Sequence, residues 1–225
     1  MKKIFFTLLT ALFCFYGSVA QNGCSKYYPF EQGTKFQITS KDKNDKPTAV
    51  IDYVVKESDG NTALLAYEMH DDKGELVLAS EYGISCENDG ISIDFNSLAA
   101  PGMMEQYKDM EIDVSGTNLF LPNNLSVGQT LPDADLLMNV SLNPINMKMT
   151  VRIFDRKVEG EETVTTPAGT FDCVILTQST ESKMGVKVSS SSREWYAPKV
   201  GMVKQESYNK KGKLIGKSVL TKFGD

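Results

Sequence analysis

Met147-Lys-Met-Thr-Val-Arg-Ile153 decides the fold class. Met147, Met149, Val151 and Ile153 alternate with Lys148, Thr150 and Arg152. Successive side chains of a strand point to opposite faces, so a period of two is the mark of a half-buried strand. A second run, Phe171, Cys173 and Ile175 against Asp172, Val174 and Leu176, is apolar on both faces and predicts a strand covered on both sides. Outward from these two, the same alternation predicts strands over 35–39, 49–56, 62–69, 75–81, 91–95, 111–114, 135–141, 147–158, 162–166, 171–179, 186–191, 194–197, 201–208 and 213–221. The links are short and rich in Gly, Asn and Asp, as at Ser58-Asp-Gly-Asn61, Asp71-Asp-Lys-Gly74 and Asn209-Lys-Lys-Gly212. Such turns join antiparallel neighbours, whereas a parallel crossover needs a dozen or more residues. The expected fold is mainly β: an antiparallel meander forming a strongly curved sheet or half-barrel, with one short helix.

That helix is expected over 96–110. Ser97 can cap it, Pro101 suits its first turn, and Met103, Tyr107 and Met110 fall on one face. It separates an N-terminal meander from a longer C-terminal one, which are expected to share a core because no flexible linker divides them.

The chain has 225 residues, 41% hydrophobic and 24% charged, with a net charge of −5. That composition excludes disorder, and the acidic balance excludes nucleic acid as a main partner. Residues 1–20 read as a secretory signal peptide: Lys2 and Lys3, an apolar run from Ile4 to Tyr16, then Ser18-Val19-Ala20. Cleavage near Ala20 leaves residues 21–225 as one β-rich domain in the periplasm or secreted, with no transmembrane span. A lipid anchor needs small apolar residues before its cysteine; Gln21-Asn22-Gly23 precede Cys24, and Phe13 precedes Cys14. In an oxidising compartment Cys24 and Cys86 are expected to pair, leaving Cys173 a buried free thiol.

Catalytic patterns fail one by one. Gly212-Lys-Leu-Ile-Gly216-Lys-Ser218 has one residue too few between its glycines for a P-loop and no room for the following helix. His70, the only histidine, stands beside Asp71 and Asp72 at a turn, with no nucleophile motif. Asp42-Lys-Asn-Asp45 begins like a calcium loop but lacks the Gly and the closing Glu. No catalytic residue, metal or cofactor is assigned, and the protein is read as non-enzymatic.

The stretches Thr165-Thr-Pro-Ala-Gly-Thr-Phe-Asp-Cys173, Arg193-Glu-Trp-Tyr-Ala-Pro-Lys-Val-Gly-Met-Val-Lys204, Asn124-Leu-Ser-Val-Gly-Gln-Thr130 and Tyr27-Tyr-Pro-Phe30 together resemble the TapB-like proteins, an exported Gram-negative family built on a domain of unknown function. That family is similar in outline to the lipoprotein-carrier, LolA-like class, in which a curved antiparallel sheet cups apolar cargo under a short helix. The resemblance implies a fold and an envelope location but transfers no catalytic residue. Methionine adds its own hint, because flexible thioethers suit apolar surfaces that accept varied ligands. The expected function is binding of a lipid or acyl chain in the concave face, lined by Met103, Met104, Tyr107, Met147, Met149 and Trp195. The alternative is a structural or assembly protein of the envelope with a solid core and a protein partner.

Overall fold

The computed structural model describes residues 24–94, 111–142 and 145–224. The predicted signal segment and the helix expected over 96–110, with Met103, Met104 and Tyr107, lie outside the described residues. Among those described there is no helix. Thirteen strands follow one another: β1 (Lys35–Asp42), β2 (Pro47–Ser58), β3 (Thr62–Asp71), β4 (Leu76–Glu87), β5 (Gly90–Ile93), β6 (Glu111–Gly116), β7 (Leu119–Pro122), β8 (Ala134–Leu142), β9 (Ile145–Thr166), β10 (Gly169–Met184), β11 (Val186–Ala197), β12 (Gly201–Asn209) and β13 (Leu214–Phe223). They form one antiparallel sheet in the order β6-β8-β9-β10-β11-β12-β13-β1-β2-β3-β4-β5-β7. The two meanders are joined by pairing of β1 with β13, in which Phe36 faces Phe223 and Ile38 faces Leu220.

Three hairpins use one turn recipe. Asp42, Asp71 and Asn209 each accept, through a side-chain oxygen, the backbone N–H groups two and four residues on. The fourth residue, Asp45, Gly74 or Gly212, takes a positive φ of 66°, 85° or 72°. This is the turn chemistry of short polar side chains folding back on their own backbone. It also disposes of the calcium-loop likeness, since the Asp42 carboxylate is occupied by these amides, which hold its pKa below the usual value.

The sequence reading is corrected in four places. Glu159-Gly160, in the gap between the strands expected over 147–158 and 162–166, lies inside the single strand β9, where Gly160 pairs with Ile175 and the register slips by a bulge between Ile175 and Leu176. The strands expected separately over 186–191 and 194–197 are one strand, β11, in which Ser189–Ser192 pair in register with β10. Strand β7 was not expected; it fits because Gly90 has no side chain, and a Cβ there would stand 2.4 Å from the Leu121 carbonyl oxygen. The strongly curved half-barrel is replaced by an open sheet, whose end strands β6 and β7 do not pair with each other.

Those ends are nevertheless joined by Thr117 and Asn118 alone, which span at most about 11 Å between Gly116 and Leu119. Those two strand ends therefore lie near each other without pairing. Arg156 of β9 donates through one terminal nitrogen to the backbone carbonyls of Phe120 (3.0 Å) and Pro132 (2.8 Å). One cluster of buried apolar side chains fills the space between, drawing on Val55, Leu65, Ile84, Leu121, Val158, Leu176, Val203 and Leu220.

Two charged residues are buried with it, Arg156 and Glu194, each 4% exposed. Arg156 Nε donates to Gln178 Oε1 at 3.3 Å, and Gln178 Nε2 donates to Glu194 Oε1 at 2.9 Å. Ser192 Oγ and Gln205 Nε2 donate to the same carboxylate oxygen, and the Tyr196 hydroxyl donates to the other. Burial lowers the Arg156 pKa, opposed by the charges of Tyr196 and Glu194. The polar row is thus satisfied within itself.

The N-terminal strap is tied down at several points. Cys24 and Cys86 are disulfide-bonded, with their Cα atoms 5.4 Å apart, and Cys173 is a buried free thiol. Lys26 N–H donates to Asn123 Oδ1 at 2.7 Å, and Lys26 carbonyl accepts from Lys199 N–H at 2.8 Å. Tyr27, between them, is 1% exposed.

Candidate functional site

Four consecutive strands carry an aromatic residue at the same level. Phe223 of β13 faces Phe36 of β1, Phe36 faces Tyr53 of β2, and Tyr53 faces Tyr67 of β3. Directly opposed residues lie on one face of a sheet, so the four rings form a continuous row across it. Phe36 and Tyr53 stack with centroids 4.6 Å apart and planes within 6°. Tyr53 and Tyr67 follow at 5.8 Å, and Tyr67 and Tyr82 at 6.2 Å, both tilted. These spacings match favoured aromatic packing.

The row lines a groove of about 680 Å³ at the end of the sheet where the Pro167–Ala168 turn between β9 and β10 comes over it. That volume lies within the range of small-molecule pockets. Phe36 is buried, whereas Tyr53 and Tyr67 are half-buried and keep part of their rings open. The groove is also lined by Lys35 and Lys222 and by the acids Asp52 and Glu68. Gln37 Nε2 donates to Asp52 Oδ1 at 2.8 Å, and Thr221 Oγ1 lies 3.0 Å from Gln37 Oε1, fixing one lip of the groove.

Burial, with a smaller contribution from Tyr67, pushes the Tyr53 phenol up from 10.0 to about 12. Tyr82 and Tyr196 are shifted the same way, again first by burial. A raised phenol is held neutral in the fold. Its contribution to stability is complete below pH 10.0 and is lost as pH rises towards about 12, because the unfolded chain ionises first. We expect phenolate absorbance to show only some of the tyrosines ionising reversibly near pH 10, the rest emerging together with unfolding at higher pH. Simultaneous reversible ionisation of all of them near pH 10 would contradict the packing.

Of the residues expected to line a ligand site, the three that are described, Trp195, Met147 and Met149, are not all brought together. Trp195 of β11 is 1% exposed, and its Nε1 donates to Glu162 Oε2 at 2.8 Å. The Lys204 ammonium stands 4.0 Å from its ring centroid. Trp195 faces Ile175 of β10, whereas Met149 faces Met184, nine residues further along that strand. At the strand rise this is about 30 Å. Met147 is exposed at the same distant end, facing Val140. His70 Nδ1 lies 3.9 Å from Asp52 Oδ2, while the Asp71 carboxylate is taken up by its turn. Among the described residues no cluster of three or more His, Cys, Asp or Glu could hold a metal, and no helix is long and apolar enough to cross a membrane.

The aromatic row was missed by reading strands singly, although two of its links had a signal. Reflecting Tyr53 through Gly60 gives Tyr67, and reflecting Phe36 through the Asn44-Asp45 turn gives Tyr53. The third link, Phe36 to Phe223, joins distant parts of the chain and has no such local mirror.

The fold has solved relatives. A protein described as exported and of YmcC-like fold, from Bacteroides fragilis, superposes with a TM-score of 0.71 at 23% identity, covering 90% of this chain and 100% of that one. A protein described as a lipoprotein, from Parabacteroides distasonis, gives 0.70 at 22% identity, covering 88% and 99%. At these identities the likeness is one of fold. No curated protein matches the chain. Over residues 31–220 the chain matches, and belongs to, the DUF3108-like family.

Proposed function

We propose that this is an exported, non-enzymatic envelope protein that holds an apolar ligand, a lipid tail or acyl chain, in the aromatic groove of its folded sheet. The observation that carries the reading is the row Phe223, Phe36, Tyr53 and Tyr67 along a groove of about 680 Å³. A chain of methylenes laid across these rings would leave water on one side and meet apolar surface on the other, a transfer of roughly 0.8 kcal/mol for each methylene buried. Lys35 and Lys222 beside the groove suit an anionic head group. The resemblance to the TapB-like family, and its similarity in outline to the carrier-like class, support this role, as do the exported and lipoprotein descriptions of the relatives of like fold. The reading places the mature protein in the periplasm or outside the cell, following cleavage near Ala20. In this reading the ligand lies on the aromatic row rather than on Met147, Met149 and Trp195.

The test is titration of the purified protein with a fluorescent fatty acid. Saturable binding is expected. Ala168→Trp, which fills the groove from its turn, should weaken it by tenfold or more while the thermal midpoint stays within a few degrees of wild type. Equal affinity in wild type and Ala168→Trp would remove the groove as the site. No saturable binding by wild type would favour a protein partner over a lipid.

A further inference from the structure

The end of the sheet opposite the groove has a different character. Strand directions alternate along the ladder, so the start of β9, the β10–β11 turn and the β12–β13 turn lie at one end, and the Pro167–Ala168 turn at the other. At this end the three hairpin segments 145–150, 182–188 and 208–215 contain six lysines, Lys148, Lys183, Lys187, Lys210, Lys211 and Lys213, and no acid. The chain as a whole is acidic. At the same end the β1–β2 tip is mixed, with Asp42 and Asp45 beside Lys43 and Lys46, the β3–β4 tip carries Asp71, Asp72 and Glu75 against Lys73, and Glu111 faces Ser141 of β8, so the excess of lysine lies on β9 to β13. All six lysines are exposed, and among the described residues only Lys187 is in an ion pair, with Glu181.

Apolar side chains stand among these lysines. Met184 is 61% exposed and Val186 75%; Met147, Val188 and Ile215 are exposed as well. Val186 faces Met184, and Met184 faces Met149, so the apolar row crosses three strands. Ser190 faces Asn209, the last residue of β12, which leaves Val186 four residues beyond its neighbour. On its β12 side the β10–β11 tip thus stands clear by about 13 Å, while on its other side the β8–β9 hairpin runs four residues past it, from Met149 to Ile145. One step below the tip Lys183 faces Lys187 directly. Like charges in opposed positions destabilise a hairpin, and the repulsion is relieved by an anionic surface.

We propose that this hairpin edge docks on an anionic lipid surface, with Met184 and Val186 entering the head-group layer and the six lysines meeting lipid phosphates. Charge complementarity selects an anionic partner, and the exposed apolar side chains among the lysines select a bilayer over a soluble polyanion. Burying apolar side chains while basic residues face anionic head groups is the established physics of interfacial attachment. This surface is separate from the groove, and its test does not depend on the ligand.

The purified protein should co-sediment with vesicles of phosphatidylglycerol and phosphatidylethanolamine in equal parts, and release as salt is raised. The triple variant Lys183→Glu, Lys187→Glu, Lys211→Glu should bind at least tenfold more weakly. Because these side chains are exposed, the fold should tolerate the change. As a second readout independent of that variant, Val186→Trp adds a reporter to a chain with one tryptophan, the buried Trp195. Its fluorescence should be quenched by bromine-labelled acyl chains. Absence of co-sedimentation at low salt, triple-variant binding equal to wild type, or an unquenched Val186→Trp would each overturn the proposal. So would displacement by soluble polyglutamate as effective as that by vesicles, which would identify an acidic polypeptide as the partner.

Discussion

Glu194→Ala is expected to destabilise the protein by about 3–5 kcal/mol, the range seen when one member of a buried charged pair is removed. The reason lies in what the carboxylate serves. Four side-chain donors, from Gln178, Ser192, Gln205 and Tyr196, end on it. Alanine would leave them without an acceptor in a water-excluded core, and would remove the buried charge that Arg156 meets through the neutral Gln178, leaving it Asp133 as the other acid acting on it. Glu194→Gln, which keeps an acceptor oxygen but removes the charge, should cost less. Arg156→Met combined with Glu194→Leu should recover part of the loss, because two apolar replacements remove both the charge and its unmet partner. Denaturant unfolding of the set is the measurement. A loss below about 1 kcal/mol for Glu194→Ala would mean that water reaches the row.

Loss of the Cys24–Cys86 bond is the second large effect. The cysteines are separated by 62 residues. Loop-closure entropy alone then gives about 4 kcal/mol in the unfolded state. The folded state adds a reason to expect the full amount. The bond anchors a strap whose Tyr27 is fully buried and whose backbone bonds to Asn123 and to Lys199. Freed at its N-terminal end, that strap can peel from the core as a unit. Unfolding of Cys24→Ser with Cys86→Ser, compared with wild type under oxidising conditions, measures the term. A difference of less than about 1 kcal/mol would show that the strap holds by packing alone.

Much of the fold was legible in local pattern. Alternation marked twelve of the thirteen strands, and Asp, Asn and Gly marked the hairpin turns, because both signals are carried by neighbours in sequence. Errors came where a local signal has two structural uses. Gly160 can end a strand or relieve a bulge within one, and only its pairing with Ile175 decides. Strand β7 has four residues, too few to show a period, and its place depends on the missing side chain of Gly90 two strands away in sequence. The site was less legible than the fold. Methionine content drew attention to Met147 and Met149, which the register places at an exposed tip, and Trp195 turned out to be core. The aromatic row needs the seam between β1 and β13, a relation that no window of sequence contains.

That seam also constrains how the molecule is made. Thr39 and Thr221, whose hydroxyls meet at 3.1 Å across it, are 182 positions apart. Closing so long a loop comes late, since its entropy must be met before its contacts return anything. Each meander can assemble from hairpins as it is synthesised, but the two cannot join until β13 has emerged. Until then β1 and β12 are open edges able to pair with any other strand. In the interval before the last ten residues of the sheet arrive both edges stand open, and a chain stalled there is expected to aggregate through them.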